Sequence, residues 1–153
     1  MLVYRIIREK FKNDALSAEG SRLYGGRWNP KGIGLLYTTS ASALALVEVM
    51  AHAPNLRFED LPTYWIFKIE IPDNIRSYEA AEMPSYWKDT SYDQTQQWLG
   101  KWLEKPDTLG IAIPSVIVPF SQNILLHAQH PLYTDCQIID QQPLHLNSRL
   151  WRK

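Results

Sequence analysis

The chain has 153 residues, 45% hydrophobic and 21% charged, with a formal net charge of zero. That length supports one domain with a core of its own, and the absence of a basic excess argues against nucleic acid as a direct partner. A single cysteine, Cys136, excludes an internal disulfide, and no window holds the ~18 apolar residues of a membrane span.

The opening stretch, MLVYRIIREK, carries Arg5, Arg8, Glu9 and Lys10 and no small-residue cleavage site, so it is not a secretion signal. A cytoplasmic location is expected. Residues 2–8 read as a first strand. Residues 10–34 hold five of the seven glycines and predict turns and loop, with a short helix near DALSAEG. GLLYTTS is a short strand. Ser40 is placed to cap a helix, ASALALVEVMAH, that stops before Pro54. TYWIFKIEI, residues 63–71, is the clearest strand, with Lys68 and Glu70 on one face. YDQTQQWLGKWLEK, residues 92–105, sets Trp98, Leu99, Trp102 and Leu103 at helical spacing and predicts one amphipathic helix. IAIPSVIVP, residues 111–119, reads as a buried strand interrupted by Pro114, SQNILLHA as a helical turn and CQIID as a last short strand. The sum is an α+β fold: a single compact domain over residues 1–153, with short mixed strands and flanking helices and no regular βαβ alternation.

Charge is uneven. Residues 1–33 carry Arg5, Arg8, Lys10, Lys12, Arg22, Arg27 and Lys31 against Glu9, Asp14 and Glu19, whereas no Lys or Arg falls between Lys105 and Arg149. The N-terminal part therefore favours an anion locally, or simply carries a solvated face. Arg27 stands in YGGRWNPKG, where flanking glycines let backbone approach a ligand. Its guanidinium fork fits phosphate or carboxylate, or braces the loop by bonding carbonyls. The stretch matches neither a dinucleotide fingerprint nor a P-loop.

Glu48 is the only ionisable residue of its helix before His52, with Ala, Leu, Val and Met on every side. A helix apolar all round is expected to be buried all round, and a carboxylate inside it is either paired structurally or held for chemistry. Tyr37 either stacks on a ligand ring or fills the core. Ser115 sits in no nucleophile elbow and has no His and acid beside it. Ser121 and Asn123 are ligand contacts or turn residues. His52, His127, His130 and His145 show no metal-binding spacing, so no metal is expected, and Cys136 reads as a core thiol.

In order, these pieces match a known pattern. YGGRWNPKGIGLLYTTSASALALVEVMAH resembles the first signature block of the RES domain family, and IPSVIVPFSQNILLHAQHP resembles its second. The likeness runs from VYRI to NSRLW. It implies a fold similar to ADP-ribosyltransferases and the role of a bacterial toxin that breaks down NAD⁺ by phosphorolysis or hydrolysis. Some family members ADP-ribosylate a protein. The resemblance also implies an antitoxin partner with an Xre-like helix-turn-helix domain and a multimeric complex with it. Nucleic acid would be bound, if at all, by that antitoxin. By motif, the family arginine falls on Arg27, its tyrosine on Tyr37, its glutamate on Glu48 and its serine on Ser115, with Ser121 close by. Asn123 matches a frequent asparagine. Arg27, Glu48 and Ser115 are thus the expected catalytic residues, and Arg27, Trp28, Tyr37 and Asn123 the expected substrate contacts. NAD⁺ would be substrate, with no resident cofactor. A non-catalytic NAD-binding interaction module of the same fold is the alternative that the resemblance leaves.

Overall fold

Adjacent residues on a strand point to opposite faces, and this sorts the apolar runs of the chain into two cores. Leu36, Ile124 and Leu126 pack with Val3, Phe67 and Ile69 on one face of a sheet; Leu35 and Leu125 pack with Trp28, Trp102, Ile111 and Ile113 on the other. The computed structural model describes residues 1–53, 55–89 and 91–151. Among these, strands β1 (Leu2–Arg8), β2 (Leu35–Thr39), β3 (Tyr64–Glu70), β4 (Ile75–Ser77), β5 (Gly110–Pro114), β6 (Gln122–His127) and β7 (Gln137–Leu144) form one mixed sheet. Their order is β4-β5-β6-β2-β1-β3-β7. Helices α1 (Glu19–Tyr24), α2 (Ser42–His52), α3 (Tyr92–Trp98) and α4 (Gly100–Glu104) complete an α+β architecture.

The pairing is uneven. β1 meets β3 along its whole length, from Leu2↔Glu70 to Arg8↔Tyr64, but meets β2 only at Tyr4↔Thr39 among the described residues. The sheet therefore splays between β1 and β2. Helix α2 packs on both strands beside the gap, with Ala45, Leu46 and Val49 against Tyr4, Ile6 and Tyr64. At the far margin, β7 pairs with β3 through a register shift at Lys68/Ile69 that leaves Ile139 without an opposite residue.

Several elements differ from expectation. SQNILLHA is not a helical turn: it is β6, between β5 and β2, with Ile124, Leu125 and Leu126 fully buried. A short apolar run covered on both faces shows no alternation, so periodicity does not separate strand from helix there. The strand expected over 111–119 ends at Pro114, and the Ser115 N–H bonds the Ser121 carbonyl (2.8 Å), closing the turn into β6. Ser40 is not the cap of α2. Its N–H bonds the Gln122 carbonyl (3.1 Å), extending the β2–β6 pairing, and Ala41 takes the cap position. The helix ends at His52, ahead of Pro54, which lies outside the described residues. The single helix expected over 92–105 breaks at Leu99 into α3 and α4, while Leu99, Trp102 and Leu103 are buried as their spacing predicts. Strand β4 has no counterpart in the sequence reading, and β7 runs well past CQIID.

Cys136 is buried just before β7, and burial pushes its thiol up to about 11. His127 is fully buried at the end of β6, edge-on to Trp102 at 5.1 Å. Its Nδ1 accepts the Gln129 N–H (3.2 Å), so Nε2 carries the proton and donates to the Leu103 carbonyl (2.9 Å). Burial holds the imidazole below its ordinary value of 6.5. Above that pH both folded and unfolded chains are neutral at this site. Below it the unfolded chain takes a proton that the folded chain refuses, so stability falls as pH falls. Each unit by which folding depresses the pKa removes about 1.4 kcal/mol once the pH is below both values. Urea unfolding at pH 7.5, 6.5 and 5.5 is expected to show a loss of stability on acidification that is shallower in His127→Gln. Equal slopes would assign the acid sensitivity elsewhere.

Candidate active site

The splay between β1 and β2 leaves a cavity of ≈ 350 Å³, walled by Tyr4, Thr39, Ala45 and Val49 among others. A second, of ≈ 290 Å³, lies toward Arg27, Trp28, Tyr92, Pro114 and Ile117. Glu48, His52 and Asn123 line both. Glu48 thus stands where the two hollows meet.

The carboxylate is held by elements distant in sequence. Oε1 accepts hydrogen bonds from Asn123 Nδ2 (2.9 Å), at the start of β6, and from Ser115 Oγ (3.3 Å), just past β5. Ser115 is itself fixed, because its Oγ accepts the N–H groups of Ile117 and Val118, both at 3.1 Å. Two lone pairs taken by amides and one proton given to Glu48 leave the hydroxyl with no capacity for other work. In this geometry the Ser115 hydroxyl positions the Glu48 carboxylate. Among the described residues Ser121 bonds only through its carbonyl, to the Ser115 N–H, and it lines a further hollow with Ser115, Trp87 and Phe120. Oε2 of Glu48 has no hydrogen bond among the described residues; His52 Nδ1 lies 3.9 Å from it.

The expectation that α2 is buried on nearly all sides is overturned. Only Leu44 and Ala45 are buried, and the Glu48 side chain is 22% exposed. An Ala- and Leu-rich helix is stable on propensity with one face covered, so its composition does not report how many faces are packed.

Arg27 and Glu48 share the second cavity but form no ion pair among the described residues. The Arg27 Nη2 group donates to the carbonyls of Trp87 and Asp89, the latter at 2.9 Å, bracing the chain before α3. The guanidinium lies over Trp28 (5.8 Å) and Tyr92 (5.9 Å), and Nε is buried with no partner among the described residues. Trp28 is a core residue, 3% exposed and edge-on to Trp98, that reaches the cavity only at its margin.

The loop carrying Arg27 hangs on Tyr37 and Asn29. The Tyr37 hydroxyl accepts the Trp28 N–H (3.1 Å) and donates to Asn29 Oδ1 (2.7 Å). Asn29 is fully buried, and its Nδ2 donates to the carbonyls of Ser21 (3.0 Å) and Ile33 (2.7 Å). Burial raises the Tyr37 hydroxyl well above its ordinary value, so it stays a neutral donor. Gly25 adopts φ 71°, and a Cβ on Gly26 would come within 2.6 Å of the Tyr37 hydroxyl oxygen. Tyr37 lines the first cavity, but its polar end serves the loop. Asn29, Tyr92 and His52 were not expected at the site; only His52, four residues after Glu48 on one helix, has a spacing that marks it.

The family model of the RES domain matches residues 2–147, and the chain belongs to that family. It is similar to a protein named Toxin Res from Yersinia enterocolitica, 33% identical over 146 residues that cover 94% of each chain. It is also similar to a Prs ADP-ribosylating toxin from a Sphingobium species, 33% identical over 127 residues, 79% of this chain and 77% of that one. Among solved structures, the M. tuberculosis MbcT–MbcA toxin–antitoxin complex contains a chain of like fold, with TM-score 0.71 and 21% identity, covering 94% of this chain and 83% of that one.

Tyr37→Phe removes one hydroxyl and leaves the buried Trp28 N–H and Asn29 Oδ1 unsatisfied. A loss of about 1–3 kcal/mol in unfolding free energy is expected by denaturant titration. A variant as stable as the wild type would show that the loop is held by other means.

Proposed function

We propose that this RES domain protein is the toxin of a type II toxin–antitoxin pair that cleaves the nicotinamide–ribose bond of NAD⁺ and so depletes it. The observation that carries this reading is the Glu48 carboxylate, fixed on Oε1 by Ser115 and Asn123 and open on Oε2 where two cavities meet. Breaking the C1′–N bond leaves its electron pair on nicotinamide and positive charge on the ribosyl carbon. A preorganised carboxylate stabilises that charge, or holds the 2′-hydroxyl as the charge forms. Nicotinamide leaves neutral, so no strong general acid is needed. No resident cofactor or metal is required.

Arg27 is the group for the pyrophosphate. Among the described residues only its Nη2 has hydrogen-bond partners, which leaves Nη1 for an anion at the cavity. Tyr92 and the margin of Trp28 supply an aromatic wall for a ring of the substrate. The acceptor of ADP-ribose is phosphate or water. A second reading, transfer to a protein, is favoured by the ADP-ribosylating toxin among the relatives. The partner is an Xre-like helix-turn-helix antitoxin in a multimeric complex. The toxin names of the relatives and the toxin–antitoxin complex of like fold support this. Val116 and Ile117, exposed at the second cavity, and Phe120, exposed at the neighbouring hollow, are apolar surface for such a partner to cover. Among the described residues no helix is long and apolar enough to cross a membrane; the toxin would act in the cytoplasm.

Purified protein is incubated with NAD⁺, with and without phosphate, and nicotinamide release is followed. Glu48→Gln keeps the shape but not the charge and is expected to lower the rate roughly 100- to 1,000-fold while NAD⁺ still raises the melting temperature. No release by the wild type, or equal release by the variant, sinks the reading. Ser115→Ala, which frees one side of Oε1, is expected to cost roughly tenfold in kcat with little change in KM. Label from NAD⁺ accumulating in protein of a cell lysate, rather than in free ADP-ribose, would select the second reading.

A further inference from the structure

We propose that His52 takes the proton of a neutral hydroxyl acceptor as that acceptor attacks the ribosyl carbon, an inference that rests on the NAD⁺ reading above. Helix α2 places Glu48 and His52 one turn apart on a single face, and both line both cavities. The His52 Nδ1 lies 2.8 Å from the Glu48 backbone carbonyl. A carbonyl can only accept, so Nδ1 carries the hydrogen and Nε2 of the neutral ring is the basic nitrogen. Among the described residues the ring makes no other hydrogen bond, and its side chain is 73% exposed, at the mouth where an acceptor enters from solvent.

The other groups of the two cavities do not fill this role. Arg5 and Arg27 are guanidiniums with no lone pair, and each donates to backbone carbonyls, Arg5 to Ala15 (2.6 Å) and Ser17 (3.3 Å). Tyr37 is buried and bound to the loop, and Tyr4 and Tyr92 are phenols. Glu48 must keep its negative charge against the ribosyl cation and cannot take a proton at the same moment. That division of labour leaves His52. The acceptor oxygen bonds C1′ as the C1′–N bond breaks with its electron pair on nicotinamide; the acceptor's O–H proton passes to Nε2, and the imidazolium returns it to water.

An anionic acceptor has no proton to lose, which separates a base from a merely structural histidine. Wild type, His52→Ala and His52→Gln are incubated with NAD⁺ in water alone and with sodium azide, and nicotinamide and the azido-ribosyl product are measured. Both variants are expected to lose hydrolysis roughly 100-fold and to recover nicotinamide release toward the wild-type rate in azide, with the azido product formed. Equal losses with and without azide, or hydrolysis unchanged in both variants, overturn the role of His52 while leaving the NAD⁺ reading in place. No nicotinamide release by the wild type in either medium overturns the role of His52; release that then appears on adding phosphate leaves the NAD⁺ reading in place, and none there either overturns that reading too. His52→Gln retains a hydrogen-bonding side chain, so a folding defect confined to His52→Ala does not blur the result.

Discussion

Two neutral donors converge on Oε1 of Glu48, and neither comes from the helix that carries it. Ser115 arrives from the turn after β5 and Asn123 from the first residues of β6, so the carboxylate has its place only once α2, β5 and β6 are assembled around the splayed junction of β1 and β2. Hydrogen bonds to an ionised acceptor are the stronger kind, and here both fall on one oxygen. The outcome is an asymmetric anion, with one oxygen anchored in the protein and the other turned to open space.

The second frame is the loop before β2. Its geometry is set by a neutral network rather than by charge. A buried tyrosine hydroxyl bridges Trp28 and Asn29, a buried amide ties Asn29 to two carbonyls, and Gly26 fits because nothing larger would clear the hydroxyl. From across the chain, Thr95 Oγ1 donates to the Arg27 carbonyl (2.6 Å) and Gln96 Nε2 to that of Gly26 (2.7 Å). Arg27 is thus gripped at its backbone by α3 and grips the segment before α3 with its side chain. It joins two parts of the fold while facing the same hollow as Glu48.

What can be read from the sequence divides along physical lines. The strands β1, β2 and β3 are legible from their runs of β-branched, aromatic and apolar residues, although both their faces are covered, and the buried side of α3 and α4 is legible from its spacing. β6 is not, since Ile124, Leu125 and Leu126 are buried on both faces and lose the alternation that marks a strand. β4 is only three residues long and is held by pairing with β5, a tertiary fact. Glu48 stands out by chemistry, a lone acid among apolar neighbours, but the same neighbours misstate its burial because composition does not say which face a helix covers. Ser115 and Asn123 are named by motif, yet their shared target lies 67 and 75 residues away and emerges only from the fold. The carbonyl partners of Arg27, 60 and 62 residues distant, carry no signal in local sequence at all.

The outer strand of the sheet has a consequence for how copies of this protein meet. An uncovered edge is a template on which another chain can lay a strand and begin a stack. Here β7 spoils the template in three ways: the register shift twists its middle, Asp140 places a charge beside the shift, and Pro143 brings no N–H to a would-be neighbour. At a cellular concentration where one molecule often brushes another, that margin turns a collision into a parting rather than the first rung of a fibril.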